Sequence, residues 1–204
     1  MRLFLIRHGE SWHGQRRVIG GPRGCTGLTP SGRAQAELLR DRLIKPGLLP
    51  EDAILLSAPW PRARETAEIL QPAIGAAIRI DDRLRELDPG ESDGLTWDEY
   101  SSRYGYLDLV AEPDRPFAPG GESYAQFSKR VVATLHDLAR VHPDATIVAV
   151  AHGGTVVQSM WGLLEIPRPG PGAVLKPAHT GLTVWTHEDG WTLERFNDTA
   201  HLDK

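Results

Sequence analysis

One local event, occurring twice, constrains this chain more than anything else in it. The unbroken apolar run Leu3-Phe4-Leu5-Ile6 passes straight into Arg7-His8-Gly9, and far downstream Thr146-Ile147-Val148-Ala149-Val150-Ala151 passes into His152-Gly153-Gly154. A short continuous apolar run that stops at a polar, glycine-containing turn is the pattern of a parallel strand buried on both faces. Each strand therefore hands over a histidine at its carboxyl end. In open α/β sheets that end is where ligands bind, so residues remote in sequence can meet there.

The segments between and beyond these strands alternate in the same sense. Thr29-Pro30-Ser31 opens a helical stripe of Ala34, Leu38, Leu39, Arg42 and Leu43 that stops at Pro46-Gly47. Ala53 to Ser57 reads as a strand, and a helix carrying Ala63, Thr66, Ala67 and Leu70 follows Pro59 and Pro61; Ile78 to Ile80 reads as a short third strand. Ser123 to Val141 is an amphipathic helix with Phe127, Val131, Val132, Leu135 and Leu138 on its buried face. A helix from about Thr155 to Leu164, a loop rich in Pro and Gly, and two strands near Leu182 to Thr186 and Thr192 to Phe196 complete the pattern. The expected fold class is α/β, a three-layer sandwich with a mostly parallel central sheet flanked by helices.

The stretch from Asp88 to Gly121 breaks the alternation: it holds several Pro and Gly residues and one helical candidate, Trp97 to Tyr104. With 204 residues, 40% of them hydrophobic, the chain can bury one substantial core, and we expect a single domain over residues 1–204 with residues 88–121 as an excursion over the active site. The formal charge of -4 gives no footprint of a nucleic-acid binder. A lone cysteine, Cys25, rules out an intramolecular disulfide framework and a multi-cysteine metal site. The apolar run at the amino terminus is too short for a signal-peptide core or a membrane span, so the expectation is a soluble, cytoplasmic protein.

His8, the segment from Ser57 to Arg62, and His152 all follow strands, so one sheet edge would gather two imidazoles with Arg7 and Arg62. Such a group without a matching cluster of Asp or Cys suits an anion with several oxygens, and the planar fork of arginine suits phosphate. A neutral imidazole nitrogen can attack phosphorus, while two guanidiniums and a protonated second imidazole balance the charge on the phosphoryl oxygens. Arg64 stands beside Arg62 as a rival; the alkoxide leaving group still needs a proton, and the carboxylates Glu86, Asp88 and Glu91 lie together in one segment. A cysteine-phosphatase loop would need an arginine six positions after Cys25, where Ser31 stands instead. His136, His142, His179, His187 and His201 have no ligand spacing, and no catalytic metal or other cofactor is expected. Trp12, Trp60 and Trp97 read as packing groups.

Arg7-His8-Gly9-Glu10-Ser11 resembles the signature of the histidine phosphatase superfamily, the phosphoglycerate mutase-like family. Further segments follow in that family's order: Leu28-Thr29-Pro30-Ser31-Gly32-Arg33-Ala34-Gln35-Ala36, Ser57 to Ala67, Leu84-Arg85-Glu86-Leu87 with Gly94-Leu95-Thr96-Trp97 beyond it, Pro119 to Ser123, and Ala151 to Gly154. The resemblance implies a phosphoglycerate mutase-like fold, with His8 as the phosphohistidine nucleophile and Arg7, Arg62, His152 and Gly153 as the phosphate pocket. It implies Glu86 as the proton donor that later activates water, and it favours Arg62 over Arg64.

Gly14 stands where the family tends to place an Asn that contacts phosphate, so His13, Ser11 or a backbone amide would substitute. The loop from Arg16 to Gly27 matches the family only loosely; Ser11, His13, Arg16, Thr26 and Gly27 are candidate substrate contacts. The implied activity is a metal-independent phosphatase on a small phosphorylated metabolite. The alternative within the fold is phosphoglycerate mutase-type transfer, but the segment Leu87 to Leu95 resembles the phosphatase branch and lacks the mutase branch's Tyr-containing motif. The alternative outside enzymes, a non-catalytic phosphate-binding interaction protein, would be favoured by loss of His8 or Glu86, and both are present.

Overall fold

The computed structural model describes residues 1–167 and 174–203. Its centre is a six-stranded sheet in the order β3-β2-β4-β1-β5-β6. Strands β1 (Arg2–Arg7), β2 (Ile54–Ser57), β3 (Ile78–Ile80) and β4 (Thr146–Ala151) run parallel to one another; β5 (Leu182–His187) pairs antiparallel with β1, and β6 (Trp191–Asp198) pairs antiparallel with β5 at the sheet's edge. The unbroken apolar runs have the physical cause inferred for them. β1 lies between β4 and β5, and Leu3, Phe4, Leu5 and Ile6 are all buried, as are Ile147 to Ala151 of β4.

Five longer helices flank or cap the sheet: α2 (Pro30–Leu43), α3 (Pro61–Ile74), α4 (Trp97–Tyr104), α5 (Tyr124–Val141) and α6 (Gly153–Leu163). Their ends follow local chemistry. Thr29 accepts a hydrogen bond from the Gly32 amide to start α2, with Pro30 just inside, and Ser123 and Gln126 form a reciprocal capping box on α5. The Pro/Gly loop after α6 expected from sequence lies partly on residues 168–173, outside the described residues. A one-turn helix, α1 (Trp12–Gln15), and two 3₁₀ turns, Asp82–Leu84 and Gly90–Ser92, carry no legible period and were not expected.

The segment from residue 88 to 121 contains α4 where the sequence places it, and it has a small core of its own. Ile19, Tyr100 and Ala118 are buried together, with Tyr104 and Phe117 packed on them. The Tyr100 hydroxyl donates to the Phe117 carbonyl at 2.7 Å. Backbone bonds stitch the segment to the loop after α1: Ile19 N donates to Leu95 O at 2.8 Å and Gly94 N to Ile19 O at 2.9 Å. Asp93 fixes the rest of that loop by accepting from the amides of Gly21, Arg23 and Gly24. No helix among the described residues is long and apolar enough to cross a membrane.

Candidate active site

β1 and β4 are adjacent and parallel, so their ends place His8 and His152 side by side, with ring centroids 5.3 Å apart. The His8 backbone amide donates to Ala151 O at 3.0 Å, which locks the two turns together. The loop after His8 is then held from below by the α2 segment. Glu10 N donates to the Gln35 side chain at 3.0 Å, Thr29 donates to the Glu10 carboxylate at 2.6 Å, and Gly9 N donates to Thr66 Oγ1 at 3.1 Å. Gly32 passes so close to Glu10 that a Cβ there would collide with its backbone. The Thr, Gly and Gln of that stretch are therefore scaffolding for the histidine loop.

His8 is 4% exposed and its tautomer is fixed by its neighbours. Nδ1 lies 2.7 Å from the Gly9 carbonyl, an acceptor only, so Nδ1 carries the proton. Nε2 is left with its lone pair, which accepts from Arg62 Nε at 3.0 Å. Burial first, then the charges of Arg62, His152 and Arg7, holds the His8 pKa well below the ordinary imidazole value. The neutral imidazole, with its lone pair on Nε2, is thus the resting form. Arg62, 2% exposed on the first turn of α3, also donates from Nη1 to Gly20 O at 2.8 Å, and its guanidinium lies over the Trp60 ring at 4.8 Å. Arg64, two residues further along the helix, is exposed.

Arg7 donates from Nη1 to Pro177 O at 2.6 Å, while its buried Nε has no partner. His152 has no exposed surface, packs against Trp60 at 5.2 Å, and leaves both ring nitrogens without a hydrogen bond. Orphaned buried donors are costly unless a ligand meets them. Burial, reinforced by Arg62, His13 and Arg7, holds His152 neutral as well. Burial and two nearby guanidiniums thus disfavour a charge on His152, where the sequence reading expects a protonated imidazole.

Glu86 lines the same cleft from the segment after β3. Its Oε2 accepts from Gly154 N at 2.8 Å and its Oε1 from Leu87 N at 3.1 Å. It is the one carboxylate among the described lining residues; Asp88 turns away to cap Gly90 N, and Glu91 is exposed. The Glu86 segment is clamped by Arg130 of α5, which donates to the carbonyls of Arg83, Arg85 and Glu86.

The candidate substrate loop divides. His13 lines the cleft, 6.2 Å from His8 between ring centroids, with Nδ1 2.9 Å from Ser11 Oγ. Burial and the charges of Arg62 and Arg7 lower its pKa to about 3. Gly14 lines the cleft with open space where a side chain would stand. Ser11, Arg16, Thr26 and Gly27 do not line it. Ser11 is buried beneath His13, Arg16 lies over Trp12 at 5.4 Å, Thr26 faces solvent, and Gly27 abuts the Glu65 carboxylate at a φ of 91°. Arg17 takes the place expected for Arg16. Trp97 is a second correction: 46% exposed, it forms part of the cleft wall and is not a core group.

The structure adds one imidazole that sequence spacing could not reveal. His179 lies 5.9 Å from His8, because β5 pairs with β1 and the turn before β5 is tied to the end of the strand that carries His8. Thr180 N donates to Arg7 O at 2.9 Å, and Thr180 holds this turn at a φ of 57°, in the left-handed region, with its hydroxyl 2.9 Å from His201 Nε2. Among the described residues, no group of three or more His, Cys, Asp or Glu could hold a metal ion.

The family model of the histidine phosphatase superfamily, branch 1, matches residues 3–199. The chain belongs to the histidine phosphatase superfamily. A superfamily relative, a probable phosphoglycerate mutase of Salmonella paratyphi B, is 30% identical over 218 residues, covering 100% of this chain and 95% of that protein. Among solved structures, a phosphoserine phosphatase from Entamoeba histolytica, crystallised with phosphoserine as a His-to-Ala mutant, superposes with a TM-score of 0.80 at 30% identity, covering 98% of each chain. A mycobacterial glucosyl-3-phosphoglycerate phosphatase in complex with VO3 gives a TM-score of 0.77 at 28% identity, covering 96% of this chain and 98% of that one.

Proposed function

We propose that this histidine phosphatase superfamily member hydrolyses a small phosphomonoester, without a metal ion, through a phosphohistidine on His8. The observation that carries the proposal is the fixed tautomer of His8, whose unprotonated Nε2 stands against Arg62, with Arg7 lining the same cleft and the His152 ring 5.3 Å away. The ester's phosphoryl oxygens would take the Arg7 Nε–H, the Arg62 guanidinium, an unpartnered nitrogen of His152 and the Gly153 amide at the start of α6. Arg62 Nε–H then leaves the His8 lone pair for an oxygen. Nε2 attacks phosphorus in line, the bond from phosphorus to the alcohol oxygen breaks, and Glu86 gives that oxygen its proton. In the second half Glu86 takes a proton from water, the water oxygen attacks phosphorus, and the bond to Nε2 breaks to release phosphate.

The activities of the two solved phosphatases support hydrolysis of a phosphorylated metabolite. The Salmonella relatives named as probable mutases favour a second outcome, return of the phosphoryl group to another substrate oxygen. We read residues 1–204 as one catalytic domain whose excursion at 88–121 forms the roof of the cleft, and the lone cysteine suits work in the reducing cytoplasm.

Turnover of p-nitrophenyl phosphate in EDTA is the direct test. We expect phosphate release that His8→Ala lowers by at least about 10³-fold, and an acid-labile phosphate trapped on the wild type. Equal turnover by His8→Ala would falsify the scheme. Isomerisation of 3-phosphoglycerate primed by 2,3-bisphosphoglycerate, faster than phosphate release, would replace hydrolysis by mutase chemistry.

A further inference from the structure

The cleft that starts at His8 is far larger than a phosphoryl group, about 820 Å³, a volume that encloses a drug-sized molecule. Its lining is of two kinds. Arg7, His8, Arg62 and Glu86 supply the groups proposed to meet the phosphoryl group, and Val18, Trp97, Leu109, Phe117, Phe127 and Val157 supply an apolar lining. Among the described lining residues there is no serine, threonine, asparagine, glutamine or aspartate, and the Tyr124 phenol is the one neutral side-chain hydroxyl. A sugar or polyol buried there would lose water from several hydroxyls and find almost no side-chain partners for them, which is costly. Arg17 and Lys176 line the cleft but are exposed, so water and salt screen their pull on a carboxylate.

Trp97 is the residue that makes this wall a preformed surface. Its ring meets Phe117 edge-on, at 6.1 Å and 88°, and Tyr100 at 5.9 Å and 68°. Its backbone is pinned by the Thr96–Glu99 capping box and by a bond from Trp97 N to Arg17 O at 3.3 Å. Nearly half of so large an apolar side chain is exposed, and the ring lines the cleft between its aromatic neighbours. The same strip of chain, residues 17 to 20, ends at the Gly20 carbonyl that Arg62 holds, so the apolar wall and the phosphate end are built on one continuous segment.

We infer that the substrate is the phosphate monoester of a bulky, apolar or ring-bearing alcohol, with Trp97 as a specificity-determining residue that packs against the alcohol part. The inference rests on the phosphatase proposal and deepens it. Primary alkyl esters keep leaving-group reactivity nearly constant, so the test compares 2-phenylethyl phosphate with ethyl phosphate, 3-phosphoglycerate, phosphoserine and glucose 6-phosphate. The expected result is a kcat/KM for the phenylethyl ester at least about ten-fold above each of the others. Trp97→Ala, checked by thermal melting to be folded, should shrink the ratio of phenylethyl to ethyl ester about ten-fold, and Trp97→Phe should keep most of it. Calorimetric titration of His8→Ala with 2-phenylethylphosphonate and ethylphosphonate reads the same preference without turnover. No hydrolysis of any ester overturns the phosphatase assignment itself. Hydrolysis with the polar esters equal or preferred, or a preference that Trp97→Ala leaves unchanged, overturns this inference alone.

Discussion

At the scale of single residues, the site depends on one atom being absent. Gly154 is the second residue of α6, and a Cβ there would strike the Glu86 carboxylate that its amide holds. The clash would fall on the far end of a flexible side chain, so the fold can yield while the carboxylate cannot stay where it is. Gly154→Ala is expected to leave the melting temperature near or slightly above that of the wild type, since Ala favours helix, yet to lower kcat by about 10²-fold. Unchanged kcat in steady-state assays would remove Glu86 from the proton-transfer step. Which residues were visible beforehand follows from how each is placed. His8, Arg7, His152 and Arg62 sit within a few residues of strand ends, so the chain's own pattern points at them. His179 is brought in by an antiparallel pairing and a left-handed Thr180, neither of which leaves a periodic trace. Trp97 was misread because one tryptophan looks the same in sequence whether it faces a core or a cleft.

At the scale of elements, the regular strands and helices were legible because burial imposes period 2 or 3.6 or, for β1 and β4, an unbroken apolar run. The connections were not, because they are held by side chains reaching across the molecule. The clearest case is the pair Glu122 and Arg130, each side chain 14% exposed, joined by contacts of 2.7 and 2.6 Å. Glu122 also accepts from Asp88 N while Arg130 holds three carbonyls, so one forked pair fastens the Glu86 segment to α5. Arg130→Ala is expected to cost about 2–3 kcal/mol in denaturant unfolding, because it strands a shielded carboxylate and three carbonyls. It should also lower kcat, with Arg130→Lys recovering only part of either, since a point charge cannot reproduce the fork. Stability within experimental error of the wild type would show that the segment is held by other means.

At the scale of the whole molecule, the imidazoles set how the protein responds to acid. His8 and His152 are held well below the ordinary value of 6.5, His13 is lowered to about 3, and His179 and His201 are each lowered to about 4. Burial is the first cause in every case. An unfolded chain takes up these protons near pH 6.5 while the folded one refuses them, so stability is full above that pH and drains away as pH falls towards 4. Differential scanning calorimetry of the empty protein should show the melting temperature dropping between about pH 7 and pH 5, each kcal/mol appearing as about 2–4 °C in a chain of this size. Vanadate should blunt the drop by giving the imidazoles a counter-charge; a flat profile would mean that the cluster opens to water.

The position of β1 in the sheet has a consequence for synthesis. The strand that bears His8 pairs with β4 and β5, as in Arg2 with Thr146 and Arg2 with Thr186, so both of its neighbours come from the last third of the chain. On a ribosome adding about 5–20 residues per second, Leu3 to Ile6 wait on the order of ten seconds for anything to pair with. A nascent or truncated chain therefore presents not a partial phosphate site but a bare apolar strand, a target for chaperones and a seed for aggregation, and the phosphate end of the cleft comes together only when the final strands arrive.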